Sequence, residues 1–294
     1  GCNAVGSGDV VVAKLNALGQ PAYTTCLGGD DVDEAYGIAV HAGQAYITGE
    51  SWSTSPAGWS AVAGDILLAR FTAAGAPDQK RFIGGAGLDY GNNIAVDGNG
   101  NSYVAGRIDS DAKGTEATVV RTSQNFATQL RTDFGGSLGD EGYGIAVDTV
   151  SGIYVGGTTS STNFPIVGDA YDAGHNGGDD VFAARLYTDG VTAPAIKYST
   201  YLGGAANDTD YGAATDTDLG EDGLPRAAWN RAAMRKAMPC VPPWMAEVRI
   251  CAAAAGVMLL FGLFVAVSMV LVIFRHRYNQ RQFDSIALIG QLKH

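Results

Sequence analysis

Short apolar runs, rich in β-branched side chains and broken by Gly, Asp and Asn, recur along roughly the first three quarters of the chain. One set is Val10-Val11-Val12-Ala13-Lys14-Leu15, Ile66-Leu67-Leu68-Ala69-Arg70-Phe71, Thr118-Val119-Val120-Arg121 and Val181-Phe182-Ala183-Ala184-Arg185-Leu186. Each carries a basic residue near its end, and three follow a Gly-Asp turn, Gly8-Asp9, Gly64-Asp65 and Gly178-Asp179. A second set comprises Ala22 to Leu27 and Lys197 to Leu202; a third is the Tyr-Gly-Ile-Ala-Val run. The fourth is Tyr46-Ile47-Thr48-Gly49, Tyr103-Val104-Ala105-Gly106 and Tyr154-Val155-Gly156-Gly157. Runs this short, bounded by turn residues, predict β-strands rather than helices. Alternation along the third set predicts that Ile38, Val40, Ile94, Val96, Ile145 and Val147 are buried between neighbouring sheets.

These sets form a repeat. Leu27-Gly28-Gly29 leads to Tyr36-Gly37, Ile83-Gly84-Gly85 to Tyr90-Gly91, Phe134-Gly135-Gly136 to Tyr143-Gly144, and Leu202-Gly203-Gly204 to Tyr211-Gly212. The glycine pairs recur at intervals of 56, 51 and 68 residues. Self-similarity on that scale marks an array of like supersecondary units. The third and fourth strands are joined through Asp97-Gly98-Asn99-Gly100-Asn101, whose residues suit a tight antiparallel hairpin. Four antiparallel strands in each unit predict an all-β fold of β-propeller blades, three full repeats and a partial fourth.

Gly178-Asp179-Asp180-Val181-Phe182-Ala183-Ala184-Arg185-Leu186, Tyr198-Ser199-Thr200-Tyr201-Leu202-Gly203-Gly204 and Tyr154-Val155-Gly156-Gly157-Thr158-Thr159-Ser160-Ser161-Thr162-Asn163-Phe164-Pro165 carry a family resemblance. The chain resembles the seven-bladed β-propeller (SBBP) repeat family from residue 8 to about 216. The resemblance implies exported or surface proteins with propeller domains and no shared catalytic residues. Two features depart from it: the third unit opens Gly114-Thr115-Glu116, and the fourth stops after its third strand. A closed propeller has about four to eight blades. Either further blades or a partner chain complete the ring, or Asn3-Ala4-Val5-Gly6 closes the fourth unit.

Charge divides the chain. Residues 1–224 carry 10 Lys and Arg against 28 Asp and Glu, and residues 225–294 carry 9 against 2. The acidic part excludes nucleic acid as a partner. In the basic part, Ile250 to Phe274 is a run of 25 residues without a charge, long enough as a helix to cross a hydrocarbon core of about 30 Å. The domain expectation is therefore a propeller over 1–222 and a basic juxtamembrane linker with a short amphipathic helix over 223–249. A single transmembrane helix over 250–274 and a cytosolic tail over 275–294 follow. A chain opening on Gly1 rather than Met is expected of an exported protein whose leader was cleaved, which puts the propeller on the extracellular, lumenal or periplasmic side. Ala252, Ala255, Gly262 and Ala266, which with Leu259 follow steps of three and four, form a small-residue seam for packing a partner helix.

Candidate chemistry is sparse. Three residues before Tyr36, Tyr143 and Tyr211 stand Asp33, Asp140 and Asp208, weak Ca²⁺ candidates that also suit a turn-capping role. Asn207-Asp208-Thr209 is a glycosylation sequon at Asn207. Cys2 and Cys26 either pair or remain free thiols. The four histidines are scattered and no nucleophile has a paired base, which argues against an enzyme. The expected function is a non-enzymatic, membrane-anchored surface protein serving adhesion, assembly or attachment of extracellular structure. The alternative is an accessory single-span subunit of a larger membrane complex.

Overall fold

A computed structural model describes residues 7–55, 58, 60–61, 63–110, 114–210, 212–219, 225–229 and 286–293. Every regular element among them is a strand. Strands β1 (Gly8–Leu15) and β2 (Pro21–Leu27) precede three complete four-stranded sheets. The first sheet is β3 (Asp33–His41), β4 (Gln44–Ser51), β5 (Asp65–Phe71) and β6 (Pro77–Ile83), in that order. The second is β7 (Tyr90–Val96), β8 (Ser102–Ser110), β9 (Gly114–Thr122) and β10 (Gln129–Phe134). The third is β11 (Asp140–Val147), β12 (Gly152–Thr159), β13 (Asp180–Tyr187) and β14 (Ala195–Leu202). All pairings within these sheets are antiparallel, and β3, β7 and β11 contact one another in sequence. That is the arrangement of propeller blades sharing an inner row of strands.

The blade is out of phase with the unit read from sequence. Sequence grouping opens each unit on the Gly-Asp strand, whereas each sheet opens on the Tyr-Gly strand, half a unit later. The reason is turn length. Ala42 and Gly43 join β3 to β4 with φ of 48° and 77°, the paired positive angles of a two-residue hairpin that holds both strands in one sheet. Gly-Gly and the following loop instead carry the chain from the outer edge of one blade to the inner row of the next.

At the ends the blades are partial. β15 (Ala213–Leu219) pairs with β16 (Pro225–Trp229) in a two-stranded sheet, and β15 packs on β11. The linker expected over 223–249 thus begins with a strand. β17 (Ile286–Lys293) pairs antiparallel with β1 on the edge away from β2. Its register matches that of a blade's second strand: Ala287 faces Lys14 and Gly290 faces Val11, as Tyr46 faces Arg70 and Gly49 faces Leu67. Most of the tail expected over 275–294, the whole of 250–274 and the residues Asn3 to Gly6 lie outside the described residues.

The core lies between the blades. Tyr46, Ile66, Leu68, Ile94, Val104, Val120 and Phe126 join the first sheet to the second. Tyr103, Val119, Phe134, Ile145, Val155, Phe182 and Tyr201 join the second to the third. Ile94 and Ile145 are buried as expected, Val96 and Val147 are half-buried against these clusters, and Ile38 is half-buried against a third that joins Val10 and Val12 of β1 to Ile47 and Leu67. Val40 departs from the expectation at 52% exposed. Its strand packs on the three-stranded sheet of β17, β1 and β2, where the strand beside β1 carries Ala287 at the register that the complete blades fill with Tyr46, Tyr103 and Tyr154.

The basic residue near the end of the third strand stitches the first blade to the second and the second to the third. Arg70 lies over Tyr46 and Phe126, pairs with Asp78 at 2.5 Å and donates to the Gln124 carbonyl of the next blade. Arg121 donates likewise to the Gly190 carbonyl, and Arg185 lies over Tyr154.

Candidate functional site

The acidic loops resolve into a repeated cap. The amide of the second glycine of each pair donates to the aspartate four residues on: Gly29 to Asp33 at 2.8 Å, Gly85 to Asp89 at 2.6 Å, and Gly136 to Asp140 and Gly204 to Asp208 at 2.7 Å. Asp33 also accepts from the Ser51 and Ser53 hydroxyls, Asp140 from the Ser161 hydroxyl, and Asp89 from the Asp109 amide. Asp89 plays the same role in the junction that lacked a predicted residue. The first glycine has a different task. A methyl group on Gly84 would lie 2.2 Å from an Asp65 oxygen and 2.3 Å from an Asp89 oxygen, so the two carboxylates crowd the space that the missing side chain leaves. Burial pushes the carboxyls of Asp33, Asp89, Asp140 and Asp180 above their ordinary range, and for Asp33 the charge of Asp9 adds to the effect.

Asp33, Asp140 and Asp208 therefore belong to three separate junctions, each with its own donors. Among the described residues no group of three or more His, Cys, Asp or Glu side chains forms a metal-ligand set. In the Asp97 loop the carboxylate accepts from the amides of Asn99 and Asn101 and from the Tyr103 hydroxyl. Asp148 does the same for Val150, Gly152 and Tyr154. These are hairpin devices.

A second cluster sits on the inner strands. Counted back from Ile38, Ile94 and Ile145, the position before the bulge holds Glu34, Tyr90 and Glu141, and the position two further on holds Tyr36, Asn92 and Tyr143. Tyr90 thus shifts by two positions from the place beside Tyr36 and Tyr143 that the repeated Tyr-Gly phrase suggests. The register bulges between Ala35 and Gly37, Gly91 and Asn93, and Gly142 and Gly144 confirm this alignment. Across to the second strand, Glu34 faces Glu50, Tyr90 faces Arg107 and Glu141 faces Thr158.

The cluster is polar and aromatic at once. The Tyr36 hydroxyl lies 2.7 Å from both Glu34 Oε2 and Glu50 Oε1. Its ring meets that of Tyr90 in a T-shaped arrangement with centroids 6.2 Å apart, and the Arg107 guanidinium lies 4.6 Å from the Tyr90 centroid. Asn92 donates to Glu141 Oε1 at 2.8 Å and to the Gly142 carbonyl at 2.9 Å, joining the second blade to the third. Burial, followed by the two carboxylates, raises the Tyr36 hydroxyl pKa well above its ordinary value, so the phenol keeps its proton. Charged groups, ring faces and hydrogen-bonding groups on rigid strands are the materials of a binding surface. Sequence reading missed this cluster because its members come from five strands and are brought together only by register.

Two family-model matches cover residues 80–111 and 132–165, and both are to SBBP, a beta-propeller repeat. Over these two stretches the chain carries SBBP beta-propeller repeats. Each matched SBBP stretch begins on the outer strand of one blade and runs through the first two strands of the next, so the family unit spans a blade junction. Both the glycine-pair cap and the inner-strand cluster draw on these SBBP stretches. No curated protein matches the chain in sequence.

The remaining predicted residues are divided. Asn207 is exposed, and its side-chain oxygen accepts from the Asp179 amide at 3.3 Å. Cys26 is disulfide-bonded, and every other cysteine lies outside the described residues. Ala252, Ala255, Gly262 and Ala266 also lie outside them. Among the described residues no helix is long and apolar enough to cross a membrane.

Proposed function

We propose that this is a non-enzymatic, membrane-anchored surface protein whose propeller serves adhesion, assembly or attachment of extracellular structure. The observation that carries this reading is the inner-strand cluster around Tyr36, which offers binding groups on rigid strands and no nucleophile paired with a base. The Cys26 disulfide supports an oxidising compartment, and the uncharged run from Ile250 to Phe274 supports an anchor. The small-residue spacing of Ala252, Ala255, Gly262 and Ala266 favours a second reading, in which the chain is an accessory subunit docked through that helix.

Purification of the full chain in mild detergent tests both. Recovery with a stoichiometric set of membrane subunits, lost on Gly262→Leu, supports the accessory reading. Recovery as an isolated protein supports the surface module. Topology has its own test, because a strand pairing of Ile286–Lys293 with β1 and a tail across the membrane exclude one another. Protease access to a C-terminal epitope tag in sealed membranes reads which side holds the tail. A tag cleaved from the propeller's side removes the single-crossing anchor from the proposal.

A further inference from the structure

One face of β1 and β2 packs on the first complete blade: Val10, Val12 and Leu27 join Ile47, Leu67 and Phe71 in one buried cluster. The opposite face is less well covered. Aligned on Lys14, Arg70 and Arg185, the residues Val11, Ala13 and Leu15 match Leu67, Ala69 and Phe71 of β5 and Phe182, Ala184 and Leu186 of β13. Those six are at most 1% exposed, whereas Val11, Ala13 and Leu15 are all half-buried.

Cys26 lies on that second face, since it stands opposite Val11 in the register. At the same register the first and third complete blades carry Phe82, opposite Leu67, and Tyr201, opposite Phe182. Phe82 packs into the cluster that joins β1 to the first blade, and Tyr201 into the one that joins the second to the third. The position that elsewhere sets an aromatic ring against the preceding blade thus holds a disulfide-bonded sulfur here. A small cross-linked group in place of a ring suits a covalent fastening.

The chain offers three partners, Cys2, Cys240 and Cys251. Cys2 is 24 positions from Cys26 and six before Gly8, where β1 begins. Six residues span up to about 20 Å, and Val11 lies about 10 Å along the strand from Gly8. Cys2 therefore reaches Cys26 when the chain folds back over β1. Cys240 lies 214 positions from Cys26, and the entropy of closing a loop grows with its length. Cys251 falls inside the uncharged run from Ile250 to Phe274.

We infer that Cys26 pairs with Cys2, and that the bond fastens residues 1–6 across the outward face of β1 and β2, capping this end of the blade array. Bond formation is an exchange. The two thiols give up two protons and two electrons to the disulfide of a protein dithiol oxidant, which leaves as the dithiol. The inference rests on the oxidising compartment of the surface-protein reading and does not depend on its anchor. It also ties Asn3-Ala4-Val5-Gly6 to the first sheet, away from the fourth unit.

The test is peptide mapping of the full chain without reduction, after alkylation of free thiols. A peptide containing Cys2 joined to one containing Cys26 is expected. A bond from Cys26 to Cys240, to Cys251 or to a second copy overturns the inference. Cys2→Ser and Cys26→Ser should each lower the melting temperature by about 5–10 °C. The double variant should fall no further, and Cys240→Ser should match wild type. Where Cys26→Ser folds poorly, Cys2→Ser carries the test alone, because it leaves β2 untouched. The cover has its own readout: hydrogen exchange of the β1 and β2 amides should quicken in Cys2→Ser, with β5 and β6 unaffected. Unchanged exchange, or exchange that quickens equally in β5 and β6, overturns the inference. Failure of the underlying reading looks different. Cys26 isolated as a free thiol removes both the bond and the oxidising compartment, whereas a bond to Cys240 or Cys251 refutes the cover and leaves the compartment standing.

Discussion

A methyl group on Gly106 would lie 2.0 Å from the Tyr90 carbonyl oxygen, and the same approach occurs at Gly49 toward Glu34 at 1.9 Å and at Gly157 toward Glu141 at 2.1 Å. In each blade the first strand bulges toward the second at this point, which is why the fourth apolar run of the repeat ends in glycine. The obstacle is backbone, so it cannot swing aside. Gly106→Ala should therefore destabilise the fold by about 3 kcal/mol, read from denaturant unfolding; a loss within experimental error would mean that the bulge yields. The capping aspartates give a second prediction at this scale. Because Gly29, Gly85, Gly136 and Gly204 already supply their donors, chelation should move the melting temperature by less than about 2 °C. A larger fall reversed by Ca²⁺ but not Mg²⁺ would make these aspartates ligands.

Strands gain their stability here from the neighbouring blade. Ile94 is 4% exposed in the cluster with Tyr46 and Ile66, and Ile145 is 5% exposed against Phe134 and Phe182, whereas Val40, at the register of the half-buried Val96 and Val147, is 52% exposed. Truncation to Ala should cost about 2–5 kcal/mol at Ile94 or Ile145 and well under about 1 kcal/mol at Val40, measured by equilibrium unfolding. If Val40→Ala proves as costly as Ile94→Ala, a further strand covers that face of β3 in the folded protein. The elements were legible in the sequence as strands, and the hairpin between β7 and β8 was legible from Asp97 to Asn101. Their grouping into blades was not. A glycine pair followed by an aspartate reads as any turn, and only the contact of inner strands shows that it crosses from one sheet to the next.

Over the whole molecule, the buried carboxyls set the response to pH. Asp33, Asp89, Asp140 and Asp180 bind their protons more tightly folded than unfolded, because burial raises each above the ordinary 3.8. Their contribution to stability is full below that ordinary value and is lost as pH rises through the raised folded values. The net charge of −11 at pH 7 adds self-repulsion in the same direction. The melting temperature should therefore fall as pH rises from just below the ordinary 3.8, and Asp89→Asn should flatten the fall. A melting temperature that climbs steadily as pH rises from there would refute this.

The sequence by itself determined strand content, the hairpins and the repetition, because alternation and turn chemistry are local properties of a chain. It also marked the basic residue in each third strand without saying what it meets. Only the tertiary structure decided that Arg70 reaches the next blade, that Tyr90 occupies the register of Glu34 and Glu141, and that Glu34 faces Glu50 beneath the Tyr36 hydroxyl. Cross-strand register past a bulge is set by how neighbouring sheets pack, and a shift of one residue turns a side chain to the opposite face.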